Sequence, residues 1–345
     1  MIIFYILLGL LIISKLRFQN NKYYSDYLSF DTTNAIKGVF IALVFINHAI
    51  PYIHDSGYVF DDSFASKLFL ISNSFVSQWI VAMFLFYSGY GIMESIRKKG
   101  QEYVDSLPRK RILTTLVNFD IAVALFVIIS LFTPNNYTIK DYLLSFIGWE
   151  SVGNSNWYIF VIMLCYLITY LSFRNFSIQK KYLHAGFIGC IILITILLLS
   201  TLKPSWWYDT MLCFSAGIFY SISRQSIEPI AKRYYWQTLS LLVILMLCLA
   251  KIPYNVSGLV YNAFCIVFCL FVIILSMKLR INNPVLIWAG KNLFPLYIYQ
   301  RIPMIIFSSI NGGEFVASYP VLFTSACLLI TILFAYFYKY WSIRL

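Results

Sequence analysis

Eleven stretches of this chain stay apolar for close to the ~20 residues a helix needs to cross a lipid bilayer. They fall near 2–14, 35–53, 75–94, 112–133, 157–173, 184–201, 206–222, 236–250, 258–277, 292–310 and 320–338. With 60% hydrophobic and 12% charged residues over 345 positions, the composition lies well outside that of soluble domains. The expected fold is all-α: a polytopic integral membrane bundle of about eleven transmembrane helices, the first run being the shortest.

Lys and Arg divide the connections into two sets. Placing the 15–34 connection in the cytoplasm puts 21 basic residues on that side and only Lys67, Lys140, Lys203 and Lys251 on the other, with Arg301 inside a span. This predicts an odd number of spans, the N-terminus outside and the C-terminus in the cytoplasm, as for a multi-pass plasma-membrane protein. The net charge of +12 then reflects topology and attraction to anionic membrane lipids, not nucleic-acid binding. The first run lacks a basic n-region and a small-x-small cleavage site, so it reads as a retained helix. All seven cysteines fall in apolar runs without a Cys-x-x-Cys or Cys/His cluster, so neither metal nor disulfide is expected. No dinucleotide, Walker or HExxH motif occurs. The chain reads as a single membrane domain, 1–345, without a soluble catalytic module.

Ionisable residues inside hydrocarbon are costly unless they find a partner or line a cavity. Lys37 and His48 lie eleven residues apart in the second run, on one helix face and about 16 Å apart along the axis. An imidazole, with its unperturbed pKa of about 6.5, can take and return a proton near neutrality. Asp120 is placed to orient His48 or to pair with a cation. Arg301 lies mid-span beside a proline, where freed carbonyls and a fixed positive charge would line a polar cavity. Asp209 reads as snorkelling to the outer interface, and His54 and His184 as interfacial. Glu94 and Lys291 lie near the inner boundary. The inner segment 95–111 holds six basic residues against Glu102 and Asp105, suited to a nucleotide cofactor's phosphates or to lipid headgroups. Two outer segments, 54–74 with Asp55, Asp61 and Asp62, and 134–156 with Asn135, Asn136, Asp141, Glu150, Asn154 and Asn156, suit a hydroxylated substrate or are solvated connections.

The motifs in order resemble the membrane acyltransferase-3 family. They are Lys37-Gly38 with His48, then Phe84-Leu85-Phe86-Tyr87-Ser88-Gly89-Tyr90, the basic stretch Arg97 to Arg111, Trp157-Tyr158-Ile159-Phe160, and Leu296-Tyr297-Ile298-Tyr299. In two places the chain departs from the family pattern. Lys37 stands where Arg is usual, keeping charge but losing the bidentate fork, and Gln300 with Arg301 replaces a late histidine. The resemblance implies a ten-helix core at 31–340, with an extra helix and cytoplasmic linker at 1–30. It also implies an O-acyltransferase of the cell envelope, in the first instance an O-acetyltransferase. Acetyl-CoA or another acyl-CoA would be the cytoplasmic donor, and a hydroxyl of a polysaccharide or lipid-linked sugar the acceptor. On that reading Lys37, Arg97, Lys98, Arg109 and Lys110 hold the donor phosphates, and His48 acts as general base or acyl carrier, with Asp120 beside it. Ser88, Glu94, Trp157 and Arg301 flank the substrate path, Ser88 and Gly89 serving either close substrate approach or helix packing. A transporter or flippase for a polysaccharide or its lipid-linked precursor is the alternative, since many spans with intramembrane charges also serve transport.

Overall fold

The computed structural model describes residues 1–134, 136–174, 180–252 and 258–345. Asn135, part of the outer 134–156 segment, lies outside the described residues. In chain order, α1 (Ile2–Ile13), β1 (Leu16–Phe18), α2 (Phe30–Asp55) and α3 (Phe64–Ser74) come first. Next, α4 (Trp79–Lys99) leads through α5 (Gln101–Leu107) and a π-helical turn at Pro108–Leu113 into α6 (Thr114–Ser130), followed by α7 (Ile139–Ser145) and α8 (Trp157–Phe173). Then α9 (Lys181–Leu202), α10 (Leu212–Arg233), α11 (Tyr235–Ala250), α12 (Gly258–Ser276) and β2 (Leu279–Ile281) precede the final group. That group is α13 (Pro284–Lys291), α14 (Leu293–Tyr299), α15 (Arg301–Ser309), α16 (Glu314–Ser318) and α17 (Pro320–Phe337).

The fold is an all-α polytopic bundle, and every one of the eleven apolar runs is helical. Six helices are long and apolar enough to cross a membrane, and a seventh crossing results if α10 and α11, bent by 103°, are counted as one span. Two others, α1 and α8, are shorter at 12 and 17 residues. The 292–310 run is interrupted at Gln300. Pro303 has no amide hydrogen to give the Tyr299 carbonyl, so the helical ladder cannot continue unbroken there.

Helix burial follows the apolar pattern. In α4, 72% of the apolar stretch is buried inside the bundle, against 28% in α9 and α17. The central helix is therefore α4, apolar all round, and α9 turns Ile194, Leu197 and Leu198 outward where lipid is the solvent. Glycines set two close crossings. A Cβ on Gly89 would strike the Phe214 carbonyl of α10, and one on Gly217 the Phe86 carbonyl of α4. Likewise Gly38 of α2 lies on the Leu286 backbone of α13, and Gly290 on that of Asn34. Bilayer lipid offers no hydrophobic drive to pair helices, so such backbone-on-backbone packing supplies much of the association.

The connection after α1 is tied to the segment after α12 by a two-stranded antiparallel ribbon, with Leu16, Arg17 and Phe18 opposite Ile281, Arg280 and Leu279. Arg280 also pairs with Asp26 at 2.9 Å, and Lys278 donates to the Asn20 carbonyl. These basic connections thus meet at one end of the bundle, the basic end. At the opposite end Lys203 pairs with Glu150 at 3.0 Å. There the 54–74 segment, read as a connection, contains α3, which buries Phe69 against Phe4 and Ile46. Two polar residues are buried more deeply than expected. Asp209 is fully buried beside Ser205 instead of snorkelling, and His184 is buried against the Phe173 ring at 4.5 Å.

Candidate active site

A cavity of about 680 Å³ enters from the basic end between α2, α6, α8, α13, α14 and α17. Its mouth carries Lys37 from α2, Lys110 and Arg111 from the π-helical turn, Lys291 from the end of α13, and Lys339 and Arg344 from the C-terminal segment. These residues come from four separate parts of the chain, so converging segments concentrate charge at the mouth. The widened turn at 108–113, which returns the Thr114 amide to the Arg109 carbonyl, carries Lys110 and Arg111 to the mouth. Lys37 reaches inward, its Nζ 5.7 Å from the centre of the Tyr87 ring. Further in, the lining turns to hydroxyl-bearing residues: Ser88, Tyr158, Tyr166 and Tyr297.

A second cavity of about 260 Å³ opens toward the opposite end and is lined by Asn47, His48, Ser77, Gln78, Trp157 and Tyr297 among others. His48 is carried by α2, which starts on a Ser29 cap that accepts the Thr32 amide. Over 26 residues α2 extends about 39 Å, enough to bring Lys37 to one cavity and His48 to the other. Pro51, three residues on, withholds the amide that the Asn47 carbonyl would have received, so a backbone acceptor is freed beside His48. The His48 Nδ1 is buried without a hydrogen-bond partner among the described residues.

Tyr297 is the one residue common to both linings. Its ring lies 6.3 Å from the His48 ring, and 5.5 Å from Tyr158 in an edge-on contact. The Tyr297 hydroxyl is buried; Ser155 is close to it, but neither closes a hydrogen bond. A single aromatic wall therefore separates a cationic cavity from one that holds an imidazole.

A sequence model of the Acyl_transf_3 family, described as an acyltransferase domain, matches residues 31–339. The chain belongs to the acyltransferase-3 family. Neither a curated protein nor a solved structure matches it. The protein is a multi-pass membrane acyltransferase, and the match contains the whole His48 cavity. Phe30, Ser342, Ile343 and Arg344 are the lining residues of the basic cavity that fall beyond it.

Within this acyltransferase the residues picked out by sequence separate into groups. Lys37, Lys110 and Ser88 line the basic cavity, and His48 and Trp157 the second. Arg301 lines a third cavity, near the opposite end, with Tyr52. Arg97 is turned aside: its Nη1 donates to Glu94 at 2.9 Å and to the Ser221 carbonyl at 3.0 Å, and the Ser221 hydroxyl donates to Glu94 at 2.6 Å. Glu94 thereby fastens α4 to α10 and lines none of the three cavities. Lys98 and Arg109 are exposed outside the cavity lining. Among the described residues Asp120 has no hydrogen-bond or ion-pair partner, His48 included, and it lines none of the three cavities. Gly89 serves helix packing, while nothing approaches Gly91. Sequence reading missed Arg111, Lys291, Lys339 and Arg344 as a group, and Tyr158. The available signal was that all four cations end spans on the side where basic residues accumulate.

Proposed function

We propose that this acyltransferase transfers an acyl group, in the first instance acetyl, from cytoplasmic acyl-CoA to a hydroxyl of an extracytoplasmic or lipid-linked glycan at the plasma membrane. The observation that carries the reading is the junction at Tyr297 of a cation-lined cavity and one that holds a buried, unpartnered imidazole. A donor with a phosphate-rich head and a long narrow arm suits the first cavity, where Lys37, Lys110, Arg111, Lys339 and Arg344, with Lys291 already held by Asp31 at 2.9 Å, suit the phosphates and the tyrosine-lined interior suits the arm. The basic end then faces the cytoplasm, a reading that the excess of Lys and Arg on that side supports.

The acceptor hydroxyl enters from the other side and meets His48. As its oxygen attacks the thioester carbonyl, the imidazole takes its proton. The new C–O bond forms, the C–S bond breaks, and the departing sulfur takes the proton back from the imidazolium. Tyr297, lying between the two cavities with an unengaged hydroxyl, is positioned to donate a hydrogen bond to the carbonyl oxygen as negative charge develops on it. Tyr158 buttresses that ring edge-on.

The test compares surface-glycan O-acyl content in a deletion strain and in one carrying His48→Ala, together with acyl transfer from labelled acetyl-CoA by the purified protein. Loss in both strains and in vitro is expected. Acylation that survives His48→Ala but not the deletion would point to a carrier and overturn the reading. Replacing Tyr297 with Phe should lower kcat by about 10- to 1000-fold with donor affinity little changed.

A further inference from the structure

A third cavity, of about 250 Å³, lies near the end opposite the basic one and has no role in the chemistry described so far. Tyr52, Tyr137, Gly153, Arg301, Ser308 and Ser309 are among its lining residues. Arg301 is the first residue after the break at Gln300, which carries it out of the α14 packing and into this space. Its Nε donates to the Tyr52 hydroxyl at 3.1 Å. No carboxylate among the described residues pairs with it. A guanidinium presents five donors in a planar fork, and a neutral phenol occupies one of them. Placing a charge here is costly unless something compensates it.

The cavity is in step with the His48 site. Tyr52 follows His48 by four residues on α2, and Arg301 follows Tyr297 by four across the break. The Tyr52–Arg301 contact therefore forms the next rung beyond the His48–Tyr297 contact, about 6 Å along the α2 axis. Arg301 remains within electrostatic reach of His48, Tyr137 and Tyr297. A rung spacing of that size is of the order of one sugar ring.

We propose that the Arg301 cavity binds an oxyanion carried by the acceptor itself, so that the enzyme selects acidic glycans whose carboxylate or phosphate lies about one sugar ring from the hydroxyl to be acylated. This rests on the acyl-transfer reading for its purpose, but its binding claim stands apart from that reading. The fork of Arg301 takes the oxyanion in two parallel hydrogen bonds. Tyr137 and the two serines supply hydroxyls around it, and Tyr52 holds the guanidinium in place. The acceptor's free hydroxyl is thereby set at His48.

The test uses the full-length protein in phosphatidylcholine nanodiscs, as wild type, Arg301→Gln and Arg301→Lys. Binding is measured for a glucuronate-containing oligosaccharide, its carboxyl-reduced neutral counterpart and a hexose phosphate. The wild type is expected to bind one or both charged probes at least about tenfold more tightly than the neutral one. Arg301→Gln should erase that preference and Arg301→Lys retain part of it. Whichever charged probe is preferred identifies the oxyanion. Equal binding of charged and neutral probes by the wild type, or a preference that survives Arg301→Gln, overturns the proposal. A lipid source is tested by repeating the measurements in phosphatidylglycerol nanodiscs. If neither charged sugar discriminates and only phosphatidylglycerol binding falls in Arg301→Gln, a headgroup occupies the cavity and the proposal also fails. Thermal unfolding of each variant checks the fold. If the wild type shows the charge preference but acylates no acceptor, the transfer reading has failed and the site has not.

Discussion

At His48 the structure replaces one picture of the chemistry with another. A buried imidazole beside a carboxylate suggests a base held and charged by its neighbour, yet among the described residues neither His48 Nδ1 nor Asp120 Oδ1 has a hydrogen-bond partner. His48 is held by packing, through the Tyr297 ring and the walls of a small cavity. His48→Gln, which keeps volume and polarity but cannot take a proton, should therefore lower kcat by roughly 100- to 10,000-fold. Asp120→Asn should leave kcat within a few-fold of wild type, as measured by transfer from labelled acetyl-CoA. Equal losses in the two variants would restore Asp120 to the site. The residue types that carry charge into hydrocarbon were legible from sequence because their cost is intrinsic. Their partners were not, since pairing depends on which helices touch.

Elements are held by features of different visibility. The glycine crossings join helices far apart in the chain, and their tightness leaves no room for a methyl group. Gly89→Ala or Gly217→Ala should destabilise the bundle by about 1–3 kcal/mol, seen as a lower unfolding temperature in detergent. Gly38→Ala should additionally weaken donor binding, because Lys37 and Lys291 flank the α2–α13 crossing. The short α7 depends on its capping box, in which Asp141 accepts from the Thr138 amide and hydroxyl, both at 2.8 Å, while the Thr138 hydroxyl accepts the Asp141 amide. The Thr138 backbone and side-chain hydrogen bonds hold the Asp141 carboxyl below the usual carboxylate range. A depressed carboxyl stabilises the folded cap at pH above the unfolded value, and that contribution is lost as pH falls through the folded one. Protection factors at the start of α7, referenced to intrinsic exchange at each pH, should therefore fall as pH drops below about 4, and Asp141→Asn should remove this pH dependence.

At the scale of the molecule, the basic cavity joins the start, the middle and the end of the chain. The C-terminal segment closes over α6 through Asn118, whose side chain donates to the Ile343 carbonyl at 2.7 Å and accepts its amide at 2.9 Å. That clasp brings Lys339 and Arg344 to the mouth beside Lys110 and Lys37. The double substitution Lys339→Gln with Arg344→Gln should raise KM for acyl-CoA about tenfold and flatten its salt dependence, with kcat at saturating donor nearly unchanged. The segment 95–111 looked sufficient for donor binding because its charge is dense in sequence. In space only Lys110 and Arg111 of its basic residues line the cavity, since Arg97 is drawn into the Glu94–Ser221 contact.

The sequence by itself determined the helical membrane fold, the division of charge between the two ends, the family, and the separation of Lys37 from His48. Each follows from composition, from the helical repeat or from a short motif, properties that a bilayer imposes on single segments whatever their neighbours. Only the tertiary structure decided which cations share a cavity, that Tyr297 divides it from His48, that Asp120 stands apart, and that Arg301 faces a space of its own. Those relations join residues on helices distant in the chain, and they are settled by close crossings and helix breaks whose spatial outcome no single segment specifies.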